Sequence, residues 1–195
     1  MSNRSEIGGE LALAAEAARH VLAPEYGDSV ARAVDMLAGC FEQGHKVLLF
    51  GNGGSAADAQ HIAAELIGRY KRERRALAAI ALTTDTSVLT AWSNDYTYDT
   101  VFERQVEGLG QAGDVAWGIS TSGNSRNVVL GLAKARELGL ATLAFTGRDG
   151  GAIAPMVDCC VNVPARETAR IQESHMITYH VICEMLDRIV APAAG

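Results

Sequence analysis

Five short apolar runs, mostly separated from one another by segments of helical character, restrict the fold of this chain more than any other feature. The runs occupy residues 47–50, 78–82, 115–119, 141–145 and 159–163. Buried strands that alternate with helices are typical of a parallel sheet whose two faces are both covered. We therefore expect an α/β fold of three layers, in which a parallel sheet lies between two layers of helices.

The first 45 or so residues precede this sheet and contain two predicted helices. An Ala-rich helix reaches Leu22 and is broken near Pro24, and a second helix runs from about residue 29 to residue 42. Their apolar residues exceed what one buried helix face needs, so we expect these helices to form an oligomer interface. A last long helix is predicted over about 170–190.

Length and composition exclude several classes of protein. The chain has 195 residues, which predicts a single domain over 1–195 with a helical extension at about 1–45. A net charge of −6 provides no basic field for nucleic acid. No stretch has the length of a membrane span, and the polar N-terminus does not resemble a signal peptide. The four cysteines lack the C-x-x-C spacing, so we expect reduced thiols and a cytoplasmic location.

A local basic cluster follows the helix after the first apolar run. Such a cluster is usually a solvated helix end, and a surface that faces an anion or a neighbouring subunit is the alternative. Its members are Arg69, Lys71, Arg72, Arg74 and Arg75.

Two loops rich in small and hydroxyl residues follow the first and third apolar runs, and each leads into a predicted helix. Their sequences are Gly-Asn-Gly-Gly-Ser at 51–55 and Ser-Thr-Ser-Gly-Asn-Ser at 120–125. Taken singly, such loops are common turn and capping sequences. Because parallel strands carry ligands at their carboxyl ends, two such loops together indicate a phosphate site, and a sugar phosphate would fit it. The spacing matches neither a Walker A motif nor a dinucleotide fingerprint.

A second group of candidate residues lies on two predicted helices. His61 and Glu65 are four residues apart and therefore share one helix face. Gln172 and His180 lie on the last helix, roughly 80° apart around its axis and about 12 Å along it. The spacing fits an acid/base or ligand set and equally fits ordinary surface residues. His175 points to the other side of Gln172, and it too could be a surface residue.

Several motifs, in order along nearly the whole chain, resemble those of the sugar isomerase (SIS) domain, and more narrowly those of the bacterial phosphoheptose isomerases. They read GNGGSAADAQHIAAEL, WSNDY, GISTSGNSRNV, TGRDGG and RIQESHMITYH. The resemblance implies a flavodoxin-like sheet and a homotetramer. It also implies conversion of sedoheptulose 7-phosphate to D-glycero-D-manno-heptose 7-phosphate, which supplies heptose for lipopolysaccharide or other surface glycans.

The resemblance also implies roles for individual residues. Glu65 is the base and His180 the acid of an aldose-ketose isomerisation through an enediol. The implied Zn²⁺ ligands, for one ion in each subunit, are His61, Glu65, Gln172 and His180. The implied substrate contacts are Asn52, Gly53, Gly54, Ser55, Glu65, Asn94, Asp95, Ser120, Thr121, Ser122, Ser125 and Gln172, of which Asn94 and Asp95 are expected in a turn.

Two other functions share this fold. A binding protein similar to the replication-initiator-associating protein DiaA would not need Glu65, His61, Gln172 and His180 together, and all four are present. A regulator that senses a sugar phosphate usually carries a DNA-binding domain, and the N-terminal helices contain no basic recognition helix.

Overall fold

The structure is a computed structural model that describes residues 3–191. Five strands form one parallel sheet in the order β2-β1-β3-β4-β5. Their bounds are Val47–Gly51 (β1), Ala79–Ala81 (β2), Val115–Ser120 (β3), Ala141–Gly147 (β4) and Cys159–Val163 (β5). The expected parallel sheet is therefore confirmed, and its order is that of flavodoxin-like folds.

Within the described range, 3–191, seven α-helices accompany the sheet. They are Arg4–Ala18 (α1), Pro24–Glu42 (α2), Gly54–Ile67 (α3), Thr86–Asp95 (α4), Val101–Leu109 (α5), Arg126–Glu137 (α6) and Thr168–Val190 (α7). Short 3₁₀ helices occupy Arg19–Leu22, Tyr98–Thr100 and Ala154–Met156. Among residues 3–191, no helix combines the length and the apolar character that crossing a bilayer requires.

Helices cover both faces of the sheet, because successive strand residues point to opposite sides. On one face, Val47 and Leu49 of β1 pack with apolar residues of α2, α3 and α7. On the other face, Leu48 and Phe50 pack with α5 and α6. The predicted three-layer architecture is thus confirmed.

Two predicted helix starts were wrong for the same reason, which is that helices accept residues with weak helix propensity in their first turn. α2 begins at Pro24, five residues before the predicted start, because a proline at the first helical position lacks only an amide that would be unpaired anyway. α3 begins at Gly54. The last two residues of the first predicted loop therefore lie in a helix.

Candidate active site

The first and second loops lie side by side at the carboxyl edge of the sheet. β1 and β3 are neighbours, and Gly51 is in register with Ile119. α3 follows β1 onto one face of the sheet, whereas α6 follows β3 onto the other face. In open α/β sheets this reversal of direction opens the crevice where ligands bind. The prediction that both loops lie at the same edge of the sheet is therefore confirmed.

A pair of asparagines joins the two loops. The side-chain amide of Asn52 donates to Asn127 Oδ1 over 2.8 Å, and the amide of Asn127 donates to Asn52 Oδ1 over 2.9 Å. The hydroxyl of Tyr98 donates to the same Asn52 oxygen over 3.0 Å. Our sequence analysis missed both partners of Asn52. Asn127 follows the second loop by two residues and could have been found there, whereas no sequence signal marks Tyr98.

The second loop concentrates the features that bind an anion. Ser120 Oγ lies 2.9 Å from Ser125 Oγ and 3.4 Å from Ser122 Oγ, and Thr121 is half-buried between them in sequence. Within residues 3–191, hydrogen bonds into α6 begin with the amide of Val129, so the earlier amides of its first turn are available. Hydroxyls and open amides at a helix start are the donors that phosphate prefers.

The start of α3 differs from that of α6, because two amides of its first turn are already used. Ser55 N donates to Asn52 O over 3.0 Å, and Ala56 N donates to Gly53 O over 3.1 Å. Gly53 has a φ of 56°, a value that favours glycine. The open amides available to an anion are therefore those of the first turn of α6, whereas the second and third residues of α3 use theirs in the turn that starts the helix.

Gln172 of α7 lies against the first loop. A Cβ atom at Gly54 would lie only 2.5 Å from Gln172 Oε1, so glycine is what makes room for this side chain. Gln172 Nε2 donates to Asp58 Oδ1 over 3.3 Å. Asp58 is 2% exposed, and burial raises the pKa of its carboxyl. Sequence analysis missed Asp58, since a carboxylate on a helix gives no signal of burial.

Three of the four predicted metal ligands come together between α3 and α7. One potential ligand atom from each of His61, Glu65 and His180 lies within 4.8 Å of the others. His61 Nε2 is 3.2 Å from Glu65 Oε1, and the ring centroids of His61 and His180 are 5.1 Å apart. Two imidazoles and a carboxylate form a donor set that fits zinc, so these residues can hold the implied ion. The structure places Gln172 against Gly54 and Asp58.

His180 has an environment that favours its neutral form. Burial, followed by the nearby His61, lowers the pKa of its imidazole, although Glu65 opposes the shift. The ring of Tyr70 stacks on His180 with 5.5 Å between centroids and an angle of 18°. A neutral imidazole keeps a lone pair for a metal ion and can exchange a proton with a substrate oxygen.

The structure differs from the expectation for Asn94 and Asp95, and it shows which alternative holds for His175. Asn94 and Asp95 form the last residues of α4 rather than a turn; both are exposed, and Asn94 Nδ2 donates to Asp95 Oδ1 over 2.9 Å. His175 is not a surface residue, because α7 packs on the sheet and buries it completely. Its Nε2 lies 2.8 Å from Thr146 O, and burial lowers its pKa to about 4.

The basic cluster is also not simply a solvated helix end. Arg69, Lys71, Arg72 and Arg75 are exposed, but the side chain of Arg74 is fully buried. It forms an ion pair with the equally buried Asp187 of α7 over 2.6 Å. Arg74 also donates to the backbone oxygen of Glu65 over 2.7 Å, which fixes the last turn of α3.

Comparison with known proteins gives the chain its family. Residues 13–147 match the family described as SIS domain. The phosphoheptose isomerase of Aquifex aeolicus (strain VF5) is 58% identical over 165 residues, which cover 85% of this chain and 86% of that relative. Solved phosphoheptose isomerases are also similar. That of Neisseria gonorrhoeae, GmhA, has a TM-score of 0.88 and 45% identity over 94% of this chain and 99% of its own.

The enzyme from Francisella tularensis superposes with a TM-score of 0.90 at 34% identity, over 96% of this chain and all of that chain (100%). The chain therefore belongs to the phosphoheptose isomerase family of SIS-domain proteins.

Proposed function

We propose that this protein converts sedoheptulose 7-phosphate to D-glycero-D-manno-heptose 7-phosphate. The observation that carries the proposal is the convergence of His61, Glu65 and His180 between α7 and α3, the helix that follows the first loop. The names of the relatives support the same reaction and favour an enzyme over a binding protein of the DiaA type. The product would supply heptose to lipopolysaccharide or another surface glycan, and the four free cysteines fit a cytoplasmic location.

The phosphate of the substrate binds the second loop in this proposal. Hydroxyls of Ser120, Thr121, Ser122 and Ser125 and the open amides of α6 donate to its oxygens. Asn52, Gly53, Gly54 and Ser55 of the first loop contact the sugar, together with Gln172. The exposed Asn94 and Asp95 at the end of α4 complete the proposed substrate contacts.

Isomerisation moves a proton between neighbouring carbons through an enediol. Glu65 removes the carbon-bound proton, and His180 exchanges a proton with the substrate oxygen. His61, Glu65, Gln172 and His180 would hold Zn²⁺, which, when bound, supplies Lewis acidity to the carbonyl and hydroxyl oxygens. Half-burial of the cluster leaves it open to substrate while partly excluding water.

We also propose that the protein is a homotetramer. α2 and α7 line an apolar groove that includes Val30, Val34, Ile177 and Val181. Ile177 is 41% exposed and Val181 45% exposed, which is unusual for adjacent apolar side chains on one helix of an isolated protein. A second copy of the chain covering this groove would remove that surface from water.

Turnover of sedoheptulose 7-phosphate by metal-stripped protein and by zinc-reloaded protein tests the function. We expect activity only after reloading, and we expect none in His180→Ala under either condition. His20→Ala, at an exposed position outside the site, is the matched control and should behave as the parent does. A folded parent that binds the sugar phosphate without turnover in either state would favour the binding protein.

A further inference from the structure

Tyr179 is a buried residue that the proposed reaction does not use. It precedes His180 on α7, and its side chain is completely buried. Its ring meets that of His61 edge to face with 5.3 Å between centroids. Its hydroxyl oxygen lies 3.0 Å from His61 Nδ1, which is hydrogen-bond distance. The hydroxyl of the buried Tyr179 thus contacts one ring nitrogen of His61, which is a proposed metal ligand.

The two ring nitrogens of His61 face different groups. Nε2 points to Glu65 Oε1 at 3.2 Å, within the proposed metal cluster, and Nδ1 points away from it to Tyr179. An imidazole that binds a metal through one nitrogen carries its proton on the other, and a partner for that N–H fixes the ring orientation. A phenolic hydroxyl can accept this hydrogen bond.

The rigidity of Tyr179 makes it suitable for this task. Its ring is enclosed by the apolar core between α3, α7 and the sheet, so the hydroxyl has one fixed position. His61 by contrast has 40% of its side chain exposed, and within residues 3–191 the hydrogen-bond partners of its ring nitrogens are Glu65 and Tyr179.

We propose that Tyr179 is a positioning residue that holds the imidazole of His61 by its Nδ1 and presents Nε2 to the metal. The inference rests on the proposed metal site, and it concerns the affinity for the ion rather than the chemical step. The same hydroxyl has no role in holding Glu65 or His180, so its removal should weaken the site without abolishing it.

Tyr179→Phe keeps the ring and removes the hydroxyl alone. We expect its zinc affinity, measured by competition with a chelator, to fall about 10- to 100-fold, as is typical when a partner of a metal-binding histidine is lost. Tyr26→Phe is the matched control, because it removes another buried tyrosine hydroxyl, which lies 2.6 Å from Thr178 Oγ1. This control should bind zinc as the parent does.

Thermal unfolding of the metal-free proteins and their affinity for inorganic phosphate complete the test. We expect both single variants to unfold at similar temperatures and to bind phosphate as the parent does. Parental zinc affinity in Tyr179→Phe, or an equal loss in Tyr26→Phe, would overturn the inference and leave the proposed function intact. A parent that fails to bind zinc at all would remove the metal site itself, and the inference with it.

Discussion

Arg74 and Asp187 form a fully buried ion pair, with 2.6 Å between Arg74 Nε and Asp187 Oδ1, that joins the end of α3 to α7. Asp187 also accepts hydrogen bonds from the amides of Lys71 and Arg72 over 2.6 and 2.9 Å. Burial by itself would raise the pKa of this carboxyl, but these bonds and Arg74 lower it overall. The two helices that carry the proposed metal ligands are therefore tied together at one end.

Arg74→Met should destabilise the protein by about 3 to 5 kcal/mol, because it leaves the charge of Asp187 buried without its partner. Chemical denaturation measures this loss. Arg72→Met is the control, since the exposed side chain of Arg72 is not needed for the hydrogen bond from its own amide. Equal stability of the two variants would show that the buried pair contributes little.

Glu65→Gln should lower kcat about 10²- to 10⁴-fold, the usual contribution of a general base, while the protein still binds inorganic phosphate. Steady-state kinetics and calorimetry measure the two effects. Glu73→Gln changes the same chemical group at a position whose side chain is 88% exposed and should leave kcat unchanged. Full turnover by Glu65→Gln would exclude this residue as the base.

Gly54→Ala should reduce activity far more than stability. The new Cβ would lie 2.5 to 2.7 Å from the amide group of Gln172, so that flexible side chain must move away from the site. Apart from this clash, alanine stabilises a helix relative to glycine by up to about 1 kcal/mol. Gly108→Ala, in α5 with no heavy atom near the new Cβ, is the control. The interpretation fails if Gly54→Ala has the kcat/KM of the parent.

His175 should make the protein less stable as the pH falls from about 6.5 to 4. Burial lowers the pKa of His175 in the folded protein to about 4. Below the ordinary pKa of about 6.5 the unfolded chain therefore binds a proton that the folded protein does not, and this stabilises the unfolded state. The full effect is about 3 kcal/mol, lost progressively across that interval. Denaturation of His175→Gln at several pH values should give a flatter profile, whereas exposed His20→Gln should retain the parental slope.

Val181→Glu should dissociate the proposed homotetramer, because burying a charge in the apolar groove between α2 and α7 has a large free-energy cost. Light scattering on a sizing column measures the mass. Leu109→Glu introduces the same charge at a similarly exposed position, 43% against 45%, on the opposite helix layer. A tetramer that survives Val181→Glu would place the interface elsewhere.

The order of elements and the position of both loops were predictable, because they depend on local patterns. Apolar runs identify buried strands, and small hydroxyl residues after them identify the carboxyl edge of the sheet. The contacts of Tyr179 with His61 and of Arg74 with Asp187 were not predictable. They join residues more than 110 positions apart in sequence, with separations of 118 and 113. Such pairs depend on how α7 packs against α3, and a single sequence contains no signal for that packing.

α3 carries the first loop at its start and the proposed metal ligands His61 and Glu65 on its later turns. An α-helix turns about 100° for each residue, so one inserted or deleted residue between Gly54 and His61 would swing both ligands away from α7. The number of residues in this segment is therefore as much a part of the site as their identity. Length variation within the family should fall outside α3, in the connections between the other strands and helices.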